Sequence, residues 1–163
     1  MRVLAFGCVL LAAGCCGYST RSLLPSHLKT VAVPPATNTT TQPGLAEALT
    51  DELTAAFTSD RTLRVTNTEA ADLIVNTTVS SYVRTPSAYT GGDTTGDQAV
   101  TAYELSVSAQ VDARDQTRDE EFYSGTASAR VTYDPGAQTE ERAAADAVKK
   151  LASEIVRQVQ IAW

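Results

Sequence analysis

The chain has 163 residues, of which 43% are hydrophobic, and its 19 acidic side chains against 13 basic ones give a net charge of −6. That length suits one domain with a real core and is short for two, while the acidic balance argues against a general nucleic-acid binder and leaves room for a local cationic patch. The cysteines, Cys8, Cys15 and Cys16, all crowd the start, so no disulfide framework or metal cluster is expected.

After Arg2, an uncharged apolar run extends from Val3 to Ala13. It falls well short of the roughly 20 apolar residues that cross a bilayer, so it reads as a cleaved export signal. The small residues Ala12-Ala13-Gly14 stand directly before Cys15. This pattern resembles the bacterial lipoprotein signal, which implies that residues 1–14 are removed and that Cys15 becomes the mature start. Cys15 would carry a diacylglyceryl group and an N-acyl chain, the covalent lipid that stands where a cofactor otherwise would. One acyl chain binds membranes only marginally, whereas several chains at about 0.8 kcal/mol per buried methylene make a durable anchor. Residues 15–26, small and polar, form a lipidated tether, and residues 27–163 form the α+β domain. No Asp follows Cys15, and the enteric sorting rule then favours the outer membrane.

Leu28-Lys29-Thr30-Val31-Ala32-Val33 alternates, is β-branched and ends at Pro34-Pro35, a first strand. Thr37 to Gln42 reads as a polar loop. Pro43-Gly44 then opens a helix with Leu45, Leu49, Leu53, Ala56 and Phe57 on one stripe, closed by Ser59-Asp60. A short second strand spans Thr62 to Thr66. The third, Asp72 to Val83, puts Leu73, Val75, Val79 and Val83 on one face and Asn76, Thr78, Ser80 and Tyr82 on the other. A long connection containing Pro86, Tyr89 and Gly91-Gly92-Asp93 is expected from Arg84 to Val100. The fourth strand turns Tyr103, Leu105, Val107, Ala109 and Val111 inward, and after a charged tip from Asp112 to Glu121 the fifth does the same with Tyr123, Gly125, Ala127, Ala129, Val131 and Tyr133. Asp134-Pro135-Gly136 is a turn. A closing helix from Thr139, its candidate N-cap, to Ile161 buries Ala144, Val148, Leu151, Ile155 and Val159. The order β-α-β-β-β-β-α predicts a two-layer α+β sandwich, two amphipathic helices on one face of a mostly antiparallel four- to five-stranded sheet.

The other face of that sheet carries serine, threonine, asparagine and glutamine in place of a lysine and glutamate fringe. It is either a docking face for a polar wall or an ordinary wet face in a threonine-rich protein. Gly17-Tyr18-Ser19, Leu24-Pro25-Ser26-His27-Leu28-Lys29-Thr30-Val31-Ala32-Val33-Pro34, Asn38-Thr39, Pro43-Gly44-Leu45, Asp60-Arg61 and Ala71-Asp72-Leu73-Ile74-Val75 together resemble the LptE family of lipopolysaccharide-assembly lipoproteins. The resemblance covers the first half closely and the remainder in element order. It implies a non-enzymatic, outer-membrane lipoprotein that plugs the lumen of a large β-barrel of the LptD type, assists its assembly and binds lipopolysaccharide. A barrel lumen is polar, which would give the serine and threonine face a wall to meet.

Catalytic patterns are missing. His27, the sole histidine, sits at a strand entrance beside Pro25 where a surface or packing role is expected, and Gly91-Gly92-Asp93-Thr94-Thr95-Gly96 leads into a strand, unlike a phosphate cradle. A lipopolysaccharide ligand carries phosphates, which suit guanidinium groups. Hairpin geometry puts Arg84 and Arg130 toward the end of the sheet that bears the loop around Tyr89, so these three are the candidate ligand-binding residues. Arg114 and Arg118 lie at the other end among Asp112, Asp115, Asp119 and Glu120. The runner-up reading is another periplasmic envelope lipoprotein, such as a secretin pilot or a wall-associated scaffold, and an envelope hydrolase is a third class.

Overall fold

The computed structural model describes residues 24–90 and 99–162, so the export signal, Cys15, most of the tether and the glycine-rich tip from Gly91 onward lie outside the described residues. The elements run β1 (Thr30–Ala32), β2 (Thr37–Asn38), α1 (Leu45–Asp60), β3 (Arg64–Val65), a 3-10 turn (Thr68–Ala70), β4 (Leu73–Thr90), β5 (Ala99–Asp115), β6 (Glu120–Tyr133) and α2 (Glu140–Ile161). They form one six-stranded mixed sheet of order β3-β1-β4-β5-β6, with the short β2 also on β4. The two long ladders, β4 with β5 and β5 with β6, are antiparallel, while β1 pairs in parallel with β3 and β4, as does β2 with β4. The expected α+β sandwich is thus present, with one strand more than anticipated and parallel pairing confined to the ladders that the short strands β1, β2 and β3 make.

Both helices cover one face, α2 over β5 and β6 and α1 beside it toward β3 and β4. Leu45, Leu49, Leu53 and Phe57 of α1 meet Val148, Leu151, Ile155 and Val159 of α2 and the inward residues of the strands in one continuous core. Each such side chain contributes about 1.5–3 kcal/mol by leaving water. Gly44 precedes α1 with φ 78°, a left-handed conformation that glycine adopts without steric cost, and Thr139 caps α2 by accepting from Arg142 N at 3.4 Å.

Three expectations are corrected. The segment from Thr37 to Gln42 is not all loop, because Thr37 and Asn38 pair with Thr78 and Val79, and Thr39 N donates to Val79 O at 3.0 Å. The connection from Arg84 to Val100 is mostly strand: β4 continues to Thr90 and β5 starts at Ala99, and beyond the end of β6 the two strands pair only with each other in a protruding ribbon. Pro86 is accommodated because its strand lacks a second neighbour there and the register shifts beside it. Third, a bulge between Val79 and Ser81 exchanges the faces of the later β4 residues. Tyr82 and Arg84 stand opposite the core residues Val107 and Leu105, on the helix side, whereas Val83 turns to the open face and is 50% exposed. One inserted residue reverses the alternation, since side chains along a strand repeat every two positions.

Candidate functional site

At the root of the ribbon, β4, β5, β6 and the first turn of α2 gather Tyr82, Arg84, Tyr103, Tyr133 and Glu140 into one cluster. Tyr82 Oη donates to Glu140 Oε1 at 3.0 Å, and the Arg84 guanidinium forms a close ion pair with Glu140 Oε2. The same guanidinium lies over the Tyr103 ring, 4.2 Å from its centroid, and Tyr103 stacks on Tyr133 with centroids 5.9 Å apart and planes 28° apart. Cation and ring attract through the ring quadrupole, so Arg84 is held from two sides. The hydrogen bonds from Arg84, then from Tyr82, keep the Glu140 carboxyl below the usual carboxylate range. Burial, and next the Glu140 carboxylate, push the Tyr82 phenol up, and burial does the same to Tyr133. Glu140 also sits in the first turn of α2, where a negative charge meets the positive end of the helix dipole.

The three candidate ligand residues are therefore placed separately. Arg84 is on the helix face with its charge paired to Glu140. Arg130 stands opposite Ser106 on the open face, 70% exposed, with its Nε 4.0 Å from Glu104. Tyr89 lies far along the ribbon, 56% exposed. Arg84 and Arg130 share one end of the sheet and do not converge on one point. Sequence reasoning missed Glu140 and Tyr82 as partners of Arg84, since nothing local reveals the bulge; Tyr103 and Tyr133, both at inward positions of neighbouring strands, were the available signal. At the opposite end, Arg114 pairs with Asp119 at 2.6 Å and Arg118 lies 3.5 Å from Glu120.

The open face keeps its neutral character. Asn76, Ser80, Gln110, Ser124, Thr126, Ser128 and Thr132 are exposed there, and Thr78, Ser106 and Ser108 half-exposed. Charges gather toward its two ends, Asp112, Arg114 and Glu121 at one and Glu104 and Arg130 at the other, with Asp112 accepting from Ser124 Oγ at 2.7 Å and Arg130 beside Glu104.

The chain enters the fold at the end away from the ribbon. His27 Nε2 is 2.6 Å from Oδ2 of Asp115, a buried carboxylate that also accepts from the Thr117 and Arg118 N–H groups. Asp72 accepts from Lys29 N, Thr30 N and Thr30 Oγ1. His27 is thus a clasp between entrance and sheet. Among the described residues no group of side chains could hold a metal ion, and no helix is long and apolar enough to cross a membrane.

The sequence model of a family described as "LptE: Lipopolysaccharide-assembly" matches residues 28–160, which is nearly all of the described chain. The chain belongs to the LptE family. That places it, at the level of the family, among envelope lipoproteins of lipopolysaccharide assembly that carry no enzymatic activity. No curated protein matches the sequence. Solved structures share the fold at low identity. The hypothetical protein CT253 from Chlamydia trachomatis superposes with a TM-score of 0.59 at 14% identity, over 82% of this chain and 96% of that one. The PelC dodecamer from Paraburkholderia phytofirmans gives 0.52 at 13% identity over 82% and 88%. Uncharacterized lipoprotein B from Nitrosomonas europaea gives 0.52 at 18% identity over 86% and 87%. The architecture of the LptE domain is shared well beyond recognisable sequence similarity.

Proposed function

We propose that this LptE-family chain is the lipid-anchored accessory subunit of the outer-membrane lipopolysaccharide translocon. It is held by acyl chains on Cys15 and seated as a plug in the lumen of an LptD-type β-barrel, whose assembly it assists. The observation that carries this reading is the open face. A sheet surface several strands wide, made of short neutral hydroxyl and amide side chains, suits a polar barrel wall, which long charged side chains would hold at a distance. Purification of the tagged full-length chain from detergent-solubilised membranes of its host is expected to bring down a large β-barrel. Gln110→Arg with Ser128→Arg is expected to lose at least tenfold of that barrel while the fold survives. Recovery of a secretin ring in place of the barrel would overturn the reading in favour of a pilot.

Lipopolysaccharide would bind at the ribbon end. Tyr89 offers a ring to acyl chains, Arg130 offers its guanidinium to phosphate from the open face, and Arg84 becomes available from the other face only when Glu140 releases it. Arg130→Glu is expected to weaken lipopolysaccharide binding several-fold without loss of stability, whereas Arg84→Glu lowers binding and melting temperature together. Unchanged binding in both would remove the arginines from the ligand site.

A further inference from the structure

The arginines of the described residues fall into two kinds. Arg84, Arg114, Arg118, Arg130 and Arg157 each lie within ion-pair distance of a carboxylate. Arg61 and Arg64 are exposed, and among the described residues neither guanidinium has an ion pair or a hydrogen bond. Both line one groove of about 300 Å³, with Thr58 from the last turn of α1 and Leu63 and Val65 at β3. We propose that this groove cradles the phosphate of an anionic phospholipid headgroup, so that the β3 margin of the domain rests on the bilayer that holds the tether. Two guanidinium groups with no carboxylate in ion-pair range suit phosphate, which accepts their N–H donors in pairs.

The backbone beneath the groove points the same way. Arg61 ends α1 in the left-handed conformation, φ 63° and ψ 5°, with its N–H donating to Phe57 O at 3.3 Å. Glycine takes that conformation freely, whereas a residue with a β-carbon is strained in it. The helix dipole accounts for a cation at the C-terminal end of α1; it does not account for Arg64 joining Arg61 in the same groove. The neighbouring Asp60 carboxylate accepts from Thr62 N and Gln160 Nε2 and pairs with neither arginine.

The groove also stands where the chain enters the fold. Arg64 N donates to Lys29 O at 2.9 Å, one residue before β1, and Lys29 is itself exposed and without an ion pair among the described residues. The contact of Gln160 with Asp60 brings the end of α2 to this place, where Ile161 is 52% exposed. Leu24 follows Cys15 by nine residues, which span at most about 30 Å. The cradle is therefore kept within reach of the bilayer, a step that rests on the lipidation of Cys15. On this margin Glu69 of the 3-10 turn stands against Lys29, Arg61 and Arg64. The acidic turn with Asp119 and Glu120 is at the same end, but β1 and β4 separate β3 from β5, about 14 Å, which exceeds the screening length of about 8 Å at physiological salt. An anionic surface attracts the β3 margin and repels the other. The site lies at the opposite end of the sheet from Arg130 and Tyr89 and takes a different lipid.

The test adds an excess of vesicles to the full-length chain after detergent removal, either neutral phosphatidylcholine or phosphatidylcholine with about 30% phosphatidylglycerol. Phenylglyoxal then modifies the arginines, and mass spectrometry reads each one. Arg142, exposed on α2 and without an ion pair among the described residues, is the internal control. Arg61 and Arg64 are expected to react at least fivefold more slowly on the anionic vesicles, Arg142 less than twofold, with the difference erased by high salt. Arg61→Gly is expected to keep or raise the melting temperature while the protection of Arg64 falls at least threefold, a split that a purely structural cap would not give. Equal reaction of Arg61 and Arg64 on both vesicles, or slowing shared equally by Arg142, would overturn the proposal. So would the same slowing by inorganic phosphate with neutral vesicles, which would make the groove a site for free anions. Sedimentation of the chain with neutral vesicles reads the lipid anchor alone, so the tether and the cradle fail separately.

Discussion

Thr77 faces the core side of β4 with its Oγ1 buried and without a hydrogen-bond partner among the described residues. A buried hydroxyl that makes no bond keeps its desolvation cost, so Thr77→Val, which removes the oxygen at nearly constant shape, is expected to stabilise the fold by about 1 kcal/mol. A higher urea midpoint at unchanged slope would show it. Gly125 presents the reverse case. A Cβ there would lie 2.3 Å from Tyr123 Oη, the group that holds Gln158 of α2. Gly125→Ala gains a little from a stiffer backbone and loses more by displacing the tyrosine, for a net cost of about 1–3 kcal/mol in the same assay. The carboxyls at the entrance set the acid limit. Burial pushes Asp115 up, but the His27 hydrogen bond and the Arg118 and Thr117 N–H groups outweigh it and leave its pKa lowered. Asp72 is lowered first by the Lys29 N–H and then by Thr30. Both therefore bind protons more weakly folded than unfolded. The stability they add is complete above the ordinary aspartate value of about 3.9 and is lost as pH falls below it through the depressed native values. Acid unfolding of Asp115→Asn is expected to show a shallower dependence over that range, at lower stability throughout. Cores and caps were legible in the sequence at this scale, because an apolar stripe or a threonine before an acidic first turn has a local cause. The Asp115 clasp was not, since His27 and Asp115 meet only through the fold.

At the scale of elements, the contrast between α2 and β4 shows what a pattern can carry. The stripe Ala144, Val148, Leu151, Ile155 and Val159 is buried as its spacing required, because a helix of this length has one way to face a core. In β4 the apolar residues Val75, Val79 and Val83 keep an even spacing that continues straight through the bulge, so Val83 disguised the reversal. Its exposure and the burial of the Tyr82 hydroxyl on the other side both come from one extra residue with no glycine or proline to announce it. The ribbon resembles a loop in sequence for a related reason. Pro86 and the run of threonine, serine and glycine are turn formers by composition, yet two strands can pair outside a core when the root is held. The Tyr82, Arg84, Tyr103 and Glu140 cluster supplies that hold. Glu140→Ala is expected to leave the core amides unchanged and to speed hydrogen exchange at least tenfold across Tyr82 to Thr90 and Ala99 to Glu104. Equal protection in both forms would show the ribbon to be stable by its own pairing.

For the whole molecule, the membrane attachment proposed above rests on Cys15. Cys15→Ala is expected to release the protein from membranes or leave it unprocessed; normal cleavage with unchanged retention in a membrane fraction would contradict the lipidated tether. The resemblance to the LptE family was readable from the first half of the chain because its turn and strand-end residues sit in fixed places. The second half offered only alternation, which many sheets share. Entrance and ribbon occupy opposite ends of β4, whose 18 residues extend about 60 Å. The sheet is in that respect a measuring rod, fixed at the clasp and graduated in steps of one residue. Excising two residues from each ribbon strand would shorten its reach by about 7 Å with every side chain still on its own side, whereas excising one from each would invert the tip. Whatever the far end of the ribbon must touch, its distance from the His27 clasp is written into strand length.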